Sequence, residues 1–208
     1  AYKYQQLVGD LNRFWRTCFS LTKIYLNKDN CESADHYWSD ARLVLLHEEV
    51  FSSLPGKKRA EIEQAVRKFI NFYRSKEDWA KSSEYQRDLC WITSGEKDRW
   101  ADAQLDLGTS YLRAKRLDDA LEALSQGLEA AHDNLALAEI HKVLGEVYTE
   151  LGETESIYVK HYTESVFLFV KTKHSSQALP IYNKLLNLIA DDPQNLPRIS
   201  FVFLRVLD

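Results

Sequence analysis

An all-α chain of antiparallel helix hairpins is what this sequence predicts, and three observations carry the prediction. Apolar residues recur at three- and four-residue spacing along most of the chain. Only 7 Gly and 4 Pro are spread over 208 residues, too few to punctuate the many turns of a β fold. The stretch Trp100 to Leu128 divides into two amphipathic segments about a tight turn at Lys115-Arg116. Leu107, Gly108 and Tyr111 form one stripe, and Ala120, Leu124 and Gly127 form the other. Small residues set beside large ones in such stripes mark close helix crossings.

The first helix is expected from Tyr2 to Asn27, where Leu7, Leu11, Phe14/Trp15, Cys18, Leu21/Thr22 and Tyr25 keep the helical period. Lys28-Asp-Asn-Cys-Glu32 breaks it, and the second helix runs from about Ser33 to Phe51 with Ser33 as its cap. Ser52-Ser-Leu-Pro-Gly56 is the strongest breaker of the first half. Lys57 to Tyr73 follows, with Ile62, Ala65/Val66, Phe69/Ile70 and Tyr73 on one face, and a partner begins at Asp78. Thr93-Ser-Gly-Glu96 and His132-Asp-Asn134 bracket the central hairpin. Leu144, Gly145 and Tyr148 open the next, which turns at Leu151-Gly152 into a helix from Glu153 to Thr172. Ser175 or Ser176 caps a helix from Gln177 to Ala190, with Pro180 near the first turn, where a missing N–H costs little. Asp191-Asp-Pro193 ends it. Phe201-Val-Phe-Leu204 reads as helix or as a short strand. The hairpins therefore fall at about 2–54, 57–93, 98–131 and 134–173, followed by helices over 175–207, in a single helical-repeat domain.

Leu-Gly-x-x-Tyr followed by Ala-x-x-x-Leu-x-x-Gly resembles the tetratricopeptide repeat (TPR). Leu144, Gly145 and Tyr148 repeat the first half of the signature. Weaker matches are Leu21, Thr22 and Tyr25 with Ala34, Trp38 and Ala41, then Phe69, Ile70 and Tyr73 with Ser82, Gln86 and Leu89. Gly108 to Gly145 is 37 residues and Ser82 to Ala120 is 38, against about 34 in the unmodified repeat, so the repeats are lengthened. Thr22 in the Gly place is expected to widen its crossing.

The resemblance implies an all-α, right-handed superhelical solenoid of antiparallel hairpins (TPR-like), with first helices lining a concave groove. It also implies a scaffold or adaptor without chemistry of its own, holding an acidic or mixed-charge peptide or helix of a partner protein, within a larger multiprotein assembly. The alternative is a regulatory helical domain of a larger enzyme or nucleic-acid-binding protein. Carried over residue by residue, the groove places are Arg16, Phe19, Lys23, Gln64, Arg67, Asn71 and Arg74 in the first two hairpins. In the next two they are Asp102, Leu105, Thr109, Arg113, Glu139, Lys142, Glu146 and Glu150. The clamp that grips chaperone tails would use Phe19 and Lys23, Arg67 and Asn71, Leu105 and Thr109, Lys142 and Glu146. Only Arg67 with Asn71 resembles half of it, so chaperone-tail binding is not expected. Arg16, Lys23, Arg67 and Arg74 would instead receive an acidic segment.

Composition sets the remaining bounds. With 45% apolar and 28% charged residues the chain belongs to the ordinary globular class, and a formal charge of -4 gives no bulk attraction to nucleic acid or membrane. Pro55-Gly-Lys-Lys-Arg59 reads as a solvated turn before it reads as a nucleic-acid patch. No run reaches the roughly 18 apolar residues of a membrane helix. Cys18, Cys31 and Cys90 have no zinc-site spacing and read as reduced thiols, so an intracellular address, cytoplasmic or nuclear, is expected. His47-Glu-Glu lacks the second His of a zinc protease, and His36, His132, His141, His161 and His174 are scattered. There is no Gly-rich phosphate loop and no Gly-x-Ser-x-Gly elbow. Asp118-Asp119 and Asp191-Asp192 sit where helix ends favour them. No catalytic residue, metal or cofactor is therefore expected. Trp15, Trp38, Trp79 and Trp100 are expected mostly in the core. The absence of Met and the apolar stretch from Leu196 to Asp208 point to a piece of a longer protein.

Overall fold

The computed structural model describes residues 2–191, and these form ten α-helices with no strand among the described residues. They are α1 (Tyr2–Leu26), α2 (Cys31–Leu45), α3 (Glu48–Ser53), α4 (Gly56–Ser75), α5 (Trp79–Thr93), α6 (Lys97–Arg113), α7 (Leu117–Ala130), α8 (Asn134–Leu151), α9 (Glu155–Lys171) and α10 (Ser175–Asp191). The chain divides into two compact units, Ala1–Ile92 and Thr93–Asp208. The all-α expectation holds for what is described. The helix-or-strand question at Phe201 to Leu204 lies outside the described residues.

One turn recurs five times. The N–H of Asn30 donates to the Tyr25 carbonyl (3.0 Å), Asp78 to Tyr73 (2.9 Å), Arg116 to Tyr111 (2.9 Å), Glu153 to Tyr148 (3.1 Å) and His174 to Phe169 (2.7 Å). The residue before each donor has positive φ: Asp29 53°, Glu77 57°, Lys115 60°, Gly152 69° and Lys173 62°. This six-to-one bond around a left-handed residue closes a helix C-terminus and reverses the chain in a few residues. Only one of the five uses Gly, which is why glycine-poor sequence still makes tight hairpins. In the other four, Asp, Glu or Lys bears the strain of the left-handed region.

Three local details differ from expectation. The second helix is broken: α2 ends at Leu45, His47 is extended (ψ 131°), and α3 starts at Glu48. The break lets buried Phe51 reach the Trp91 ring edge-on at 5.1 Å. The cap of α2 is Asn30, whose side chain accepts from the Ser33 N–H at 3.0 Å, so Ser33 is the capped residue and not the cap. α10 begins at Ser175 itself, with the His174 carbonyl taking the Gln177 N–H. Pro180 then lies inside the helix, past the first turn, and removes the N–H that would have met the Ser176 carbonyl.

Unit 1 has an aromatic core. Trp15, Phe19, Trp38, Phe69 and Tyr85 are all but fully buried. Phe19 meets Trp38 (6.2 Å between centroids), Trp38 meets Phe69 (6.2 Å), and Phe69 stacks on Tyr85 (4.7 Å, 20°), so α1, α2, α4 and α5 share one ring cluster. Each buried ring contributes roughly 1.5–3 kcal/mol. Thr22 is fully buried with its hydroxyl donating to the Cys18 carbonyl (2.9 Å). α4 also touches α1 and α2.

Unit 2 makes two close crossings at glycine. α6 pairs with α7, α8 with α9 and α10 with α9, while α8 also touches α6 and α7. A Cβ on Gly108 would lie 2.5 Å from Leu124 Cγ, and one on Gly145 2.6 Å from the Tyr162 ring. These glycines let α6 meet α7 and α8 meet α9 at distances no side chain would permit. Ala138, Tyr162, Val166, Phe169, Ala178, Ile181 and Leu185 form a core through α8, α9 and α10.

Candidate functional site

In each unit the first helices of successive hairpins stand beside one another, α1 by α4 and α6 by α8. A charged hollow opens on each pair. In unit 1 it holds about 170 Å³ and is lined by Lys23, Leu26 and Asn27 of α1 and its end, and by Glu61, Gln64, Ala65 and Lys68 of α4. The helical period explains the α4 set, since positions 61, 64 and 68 share one face. Lys23 and Lys58 both donate to the same oxygen, Glu61 Oε2, at 2.8 and 3.2 Å. Those two ammonium groups hold the Glu61 carboxyl below its ordinary range. The Lys58 ammonium also lies 4.9 Å from the centre of the Phe19 ring.

The expected groove residues are placed unevenly. Lys23 and Gln64 line the hollow. Arg67 is exposed and pairs with Glu63 at 3.0 Å one turn away. Arg16 is exposed, with its guanidinium 5.4 Å from the Trp15 ring, and Asn71 is exposed. Arg74 is half-buried and engaged within the fold. Phe19 is corrected: it is 0% exposed and packs on Trp38, because α1 turns Trp15, Cys18, Phe19, Thr22 and Leu26 inward as one stripe. A partner cannot touch it without opening the core.

In unit 2 a hollow of about 380 Å³ is lined by Leu112, Arg113, Lys115, Glu146, Thr149, Glu150 and Lys184. Lys115 pairs with Glu150 (2.8 Å), which lowers the Glu150 carboxyl's affinity for protons. Lys184 donates to the Tyr162 hydroxyl (2.5 Å) and lies over its ring (4.5 Å). Arg113 and Glu146, both expected, meet here, whereas Lys142 is tied to Glu139 on its own helix. Leu105, Thr109 and Glu139 are half-buried, and Asp102 is exposed.

Residues that sequence reasoning missed are Lys58, Glu61 and Lys68 in unit 1, and Lys115 and Lys184 in unit 2. Glu61 and Lys68 were legible in principle, because they share a helical face with Gln64. Lys184 was not, since its position depends on how α10 returns over α9.

Three further clusters hold ionisable groups. Asp35, 8% exposed, accepts from the Tyr73 hydroxyl (2.6 Å) and the Tyr85 hydroxyl and pairs with Lys81 (2.5 Å). Burial opposes its ionisation, but these donors win and its proton affinity falls, while burial and the Asp35 charge raise both tyrosines. Asp88 accepts from Trp38 Nε1 (3.3 Å) and Arg42 (2.7 Å), yet burial lifts it to about 6. His141 and His161 face one another, Nδ1 to Nδ1 at 2.9 Å, with Tyr148 stacked on His161 at 5.3 Å. Burial depresses both rings, His161 to about 4.

Among the described residues no three His, Cys, Asp or Glu side chains are grouped to hold a metal, and no helix is long and apolar enough to cross a membrane. Cys18, Cys31 and Cys90 form no disulfide among the described residues. The chain matches no protein-family model, and no curated protein is significantly similar to it.

Proposed function

We propose that this chain is a protein-binding scaffold of tetratricopeptide-like hairpins, and that the α1/α4 surface of unit 1 receives an acidic peptide or helix of a partner protein. The recurrence of one turn supports the repeat reading. Tyr25, Tyr73, Tyr111 and Tyr148 each accept the bond that closes a hairpin turn, and these four occupy the Tyr place of the sequence signature. The packing of α1 on α4 and of α6 on α8 supports it too, since successive first helices then form a shared face.

The observation that carries the binding reading is the convergence of cations on that face. Lys23 and Lys68 line a hollow containing one carboxylate, Glu61, to which Lys58 also donates, with Arg16 and Arg67 exposed on the same two helices. Gln64, Lys68 and Asn71 make no side-chain hydrogen bond or ion pair among the described residues, so they are available to a ligand. Exposed charge pairs contribute only about 0.2–1 kcal/mol each. Several such pairs together change affinity by roughly one to two decades, since about 1.4 kcal/mol is tenfold.

The test uses fluorescein-labelled hexaglutamate and hexalysine peptides with the intact chain. The acidic peptide is expected to bind, more weakly as salt rises, and to lose affinity when Arg67→Glu and Lys68→Glu are combined. Equal binding of both peptides, or no change in the double variant, overturns the reading.

A further inference from the structure

We infer that Glu61 is a built-in competitor at this acidic-peptide site, an intramolecular carboxylate lying where a partner's carboxylate would be held. The inference rests on the binding reading above and adds its regulation.

The geometry of one oxygen carries it. Glu61 Oε2 takes Lys23 Nζ at 2.8 Å and Lys58 Nζ at 3.2 Å. The two ammonium groups come from different helices, α1 and the start of α4, so their meeting is made by the fold and not by local sequence. Charge-assisted bonds from two ammonium groups are among the strong ones that hold a carboxylate. The site is therefore already shaped for that group, and the resident occupant belongs to the protein. It is also positioned to leave. Lys23, Lys58 and Glu61 side chains are 42%, 33% and 28% exposed, so water competes for every member. Gln64, Lys68 and Asn27 stand around the same hollow and are reached by whatever enters it.

Lys58 does not depend on Glu61 alone for its place. Its ammonium rests over the buried Phe19 ring at 4.9 Å, a contact that survives departure of the carboxylate. The clamp is thus preorganised and its occupant exchangeable. Binding an acidic side chain replaces one carboxylate by another at the two lysines and frees Glu61 to swing into solvent, so the apparent affinity is the intrinsic affinity reduced by the fraction of time Glu61 holds the site.

Glu63 supplies the control. It lies on the same helix, two residues away, and pairs with exposed Arg67 at 3.0 Å, outside the hollow. Glu61→Gln and Glu63→Gln remove the same charge from neighbouring places, the first freeing Lys23 and Lys58 and the second freeing Arg67, so the part of the Glu61→Gln gain that depends on Lys23 and Lys58 reports occupancy of the clamp and not net charge. Labelled hexaglutamate is titrated into wild type, Glu61→Gln and Glu63→Gln, with circular dichroism confirming that each is folded. The expected result is roughly three- to tenfold tighter binding for Glu61→Gln and a smaller gain for Glu63→Gln. Lys23→Met and Lys58→Met, each placed on Glu61→Gln, should abolish the gain. If wild type binds the peptide and Glu61→Gln gains nothing, or keeps its gain with Lys23→Met or Lys58→Met in place, Glu61 is no competitor although the binding reading stands. If neither wild type nor Glu61→Gln binds it, both fall. Binding by Glu61→Gln alone supports the competitor directly.

Discussion

At the crossing of α6 and α7 the first helix offers Gly108, and Leu124 fills the space that a side chain would need. At the equivalent place in α1 stands Thr22, and in α4 Ile70, both buried. Unit 1 makes up the difference with large rings and with buried polar groups: Trp38, Phe69 and Tyr85 span the gaps, and Asp35 and Asp88 tie ring N–H and O–H groups together. Unit 2 makes its close crossings by setting Gly108 against Leu124 and Gly145 against Tyr162. The comparison teaches that one hairpin design closes either by removing side chains or by adding large, hydrogen-bonded ones, and that the second route places charges where their removal is expensive.

The sharpest way to break the comparison is therefore in unit 1. Asp35→Ala strips the acceptor from Tyr73, Tyr85 and Lys81 at once and should cost about 3–5 kcal/mol, the usual penalty for breaking a buried charged pair. Asp35→Asn keeps one acceptor and should cost less. Denaturant melts followed by tryptophan fluorescence measure both, since Trp15, Trp38, Trp79 and Trp91 lie in this unit. A stable Asp35→Ala protein would show that the ring cluster alone closes unit 1.

The same contrast explains what was legible. In unit 2 the Leu-Gly-x-x-Tyr signature is written in the sequence because the crossing itself demands Gly. In unit 1 the work is shared by Thr22, Trp38, Gln86 and Asp88, residues distant in sequence whose fit depends on tertiary contact, and no local pattern announces it. The helices and their period were readable throughout. The turns were less so: Asp29, Glu77, Lys115 and Lys173 occupy left-handed backbone that sequence rules assign to Gly or Asn. Carrying groove places over by family position picks Lys23 and Gln64, which line the hollow, together with Arg67 and Arg74, which do not, and passes over Glu61 and Lys68. The same transfer put Phe19 on the surface, although the inward stripe of α1 claims it.

Next in size is the cost of filling a unit 2 crossing. Gly108→Leu or Gly145→Leu should destabilise by roughly 1–3 kcal/mol through overpacking. Gly108→Ala should come closer to neutral, because Ala returns about 1 kcal/mol of helix propensity against the clash. Leu124→Ala combined with Gly108→Leu should recover part of the loss, and strict additivity of the two would mean that the side chains do not meet. Gly95→Leu, facing open space, should change stability by no more than about 0.5 kcal/mol.

The smallest effect separates the units by pH, and its sign differs between them. Asp88 has a folded value of about 6, raised by burial above its ordinary 3.8, so between those values the native state binds more protons and acidification from neutrality stabilises unit 1. His161 has a folded value of about 4, depressed below 6.5 by burial and then by His141 and Lys160. There the unfolded state binds more protons, so its stability contribution is full above pH 6.5 and is lost as pH falls toward 4. The ring pair is only half-buried, and after discounting for solvent the loss in unit 2 is about 1 kcal/mol. Glu164 offsets part of this at His141, where its charge favours the imidazolium. Asp88→Asn and His161→Gln are each compared with wild type at pH 7 and pH 5. Relative to wild type, Asp88→Asn should lose the acid-side gain, while His161→Gln should hold its stability better as the pH drops. Should both variants shift in the same direction, either the burial of Asp88 or the pairing of the two imidazoles is wrong, and the direction of the common shift says which.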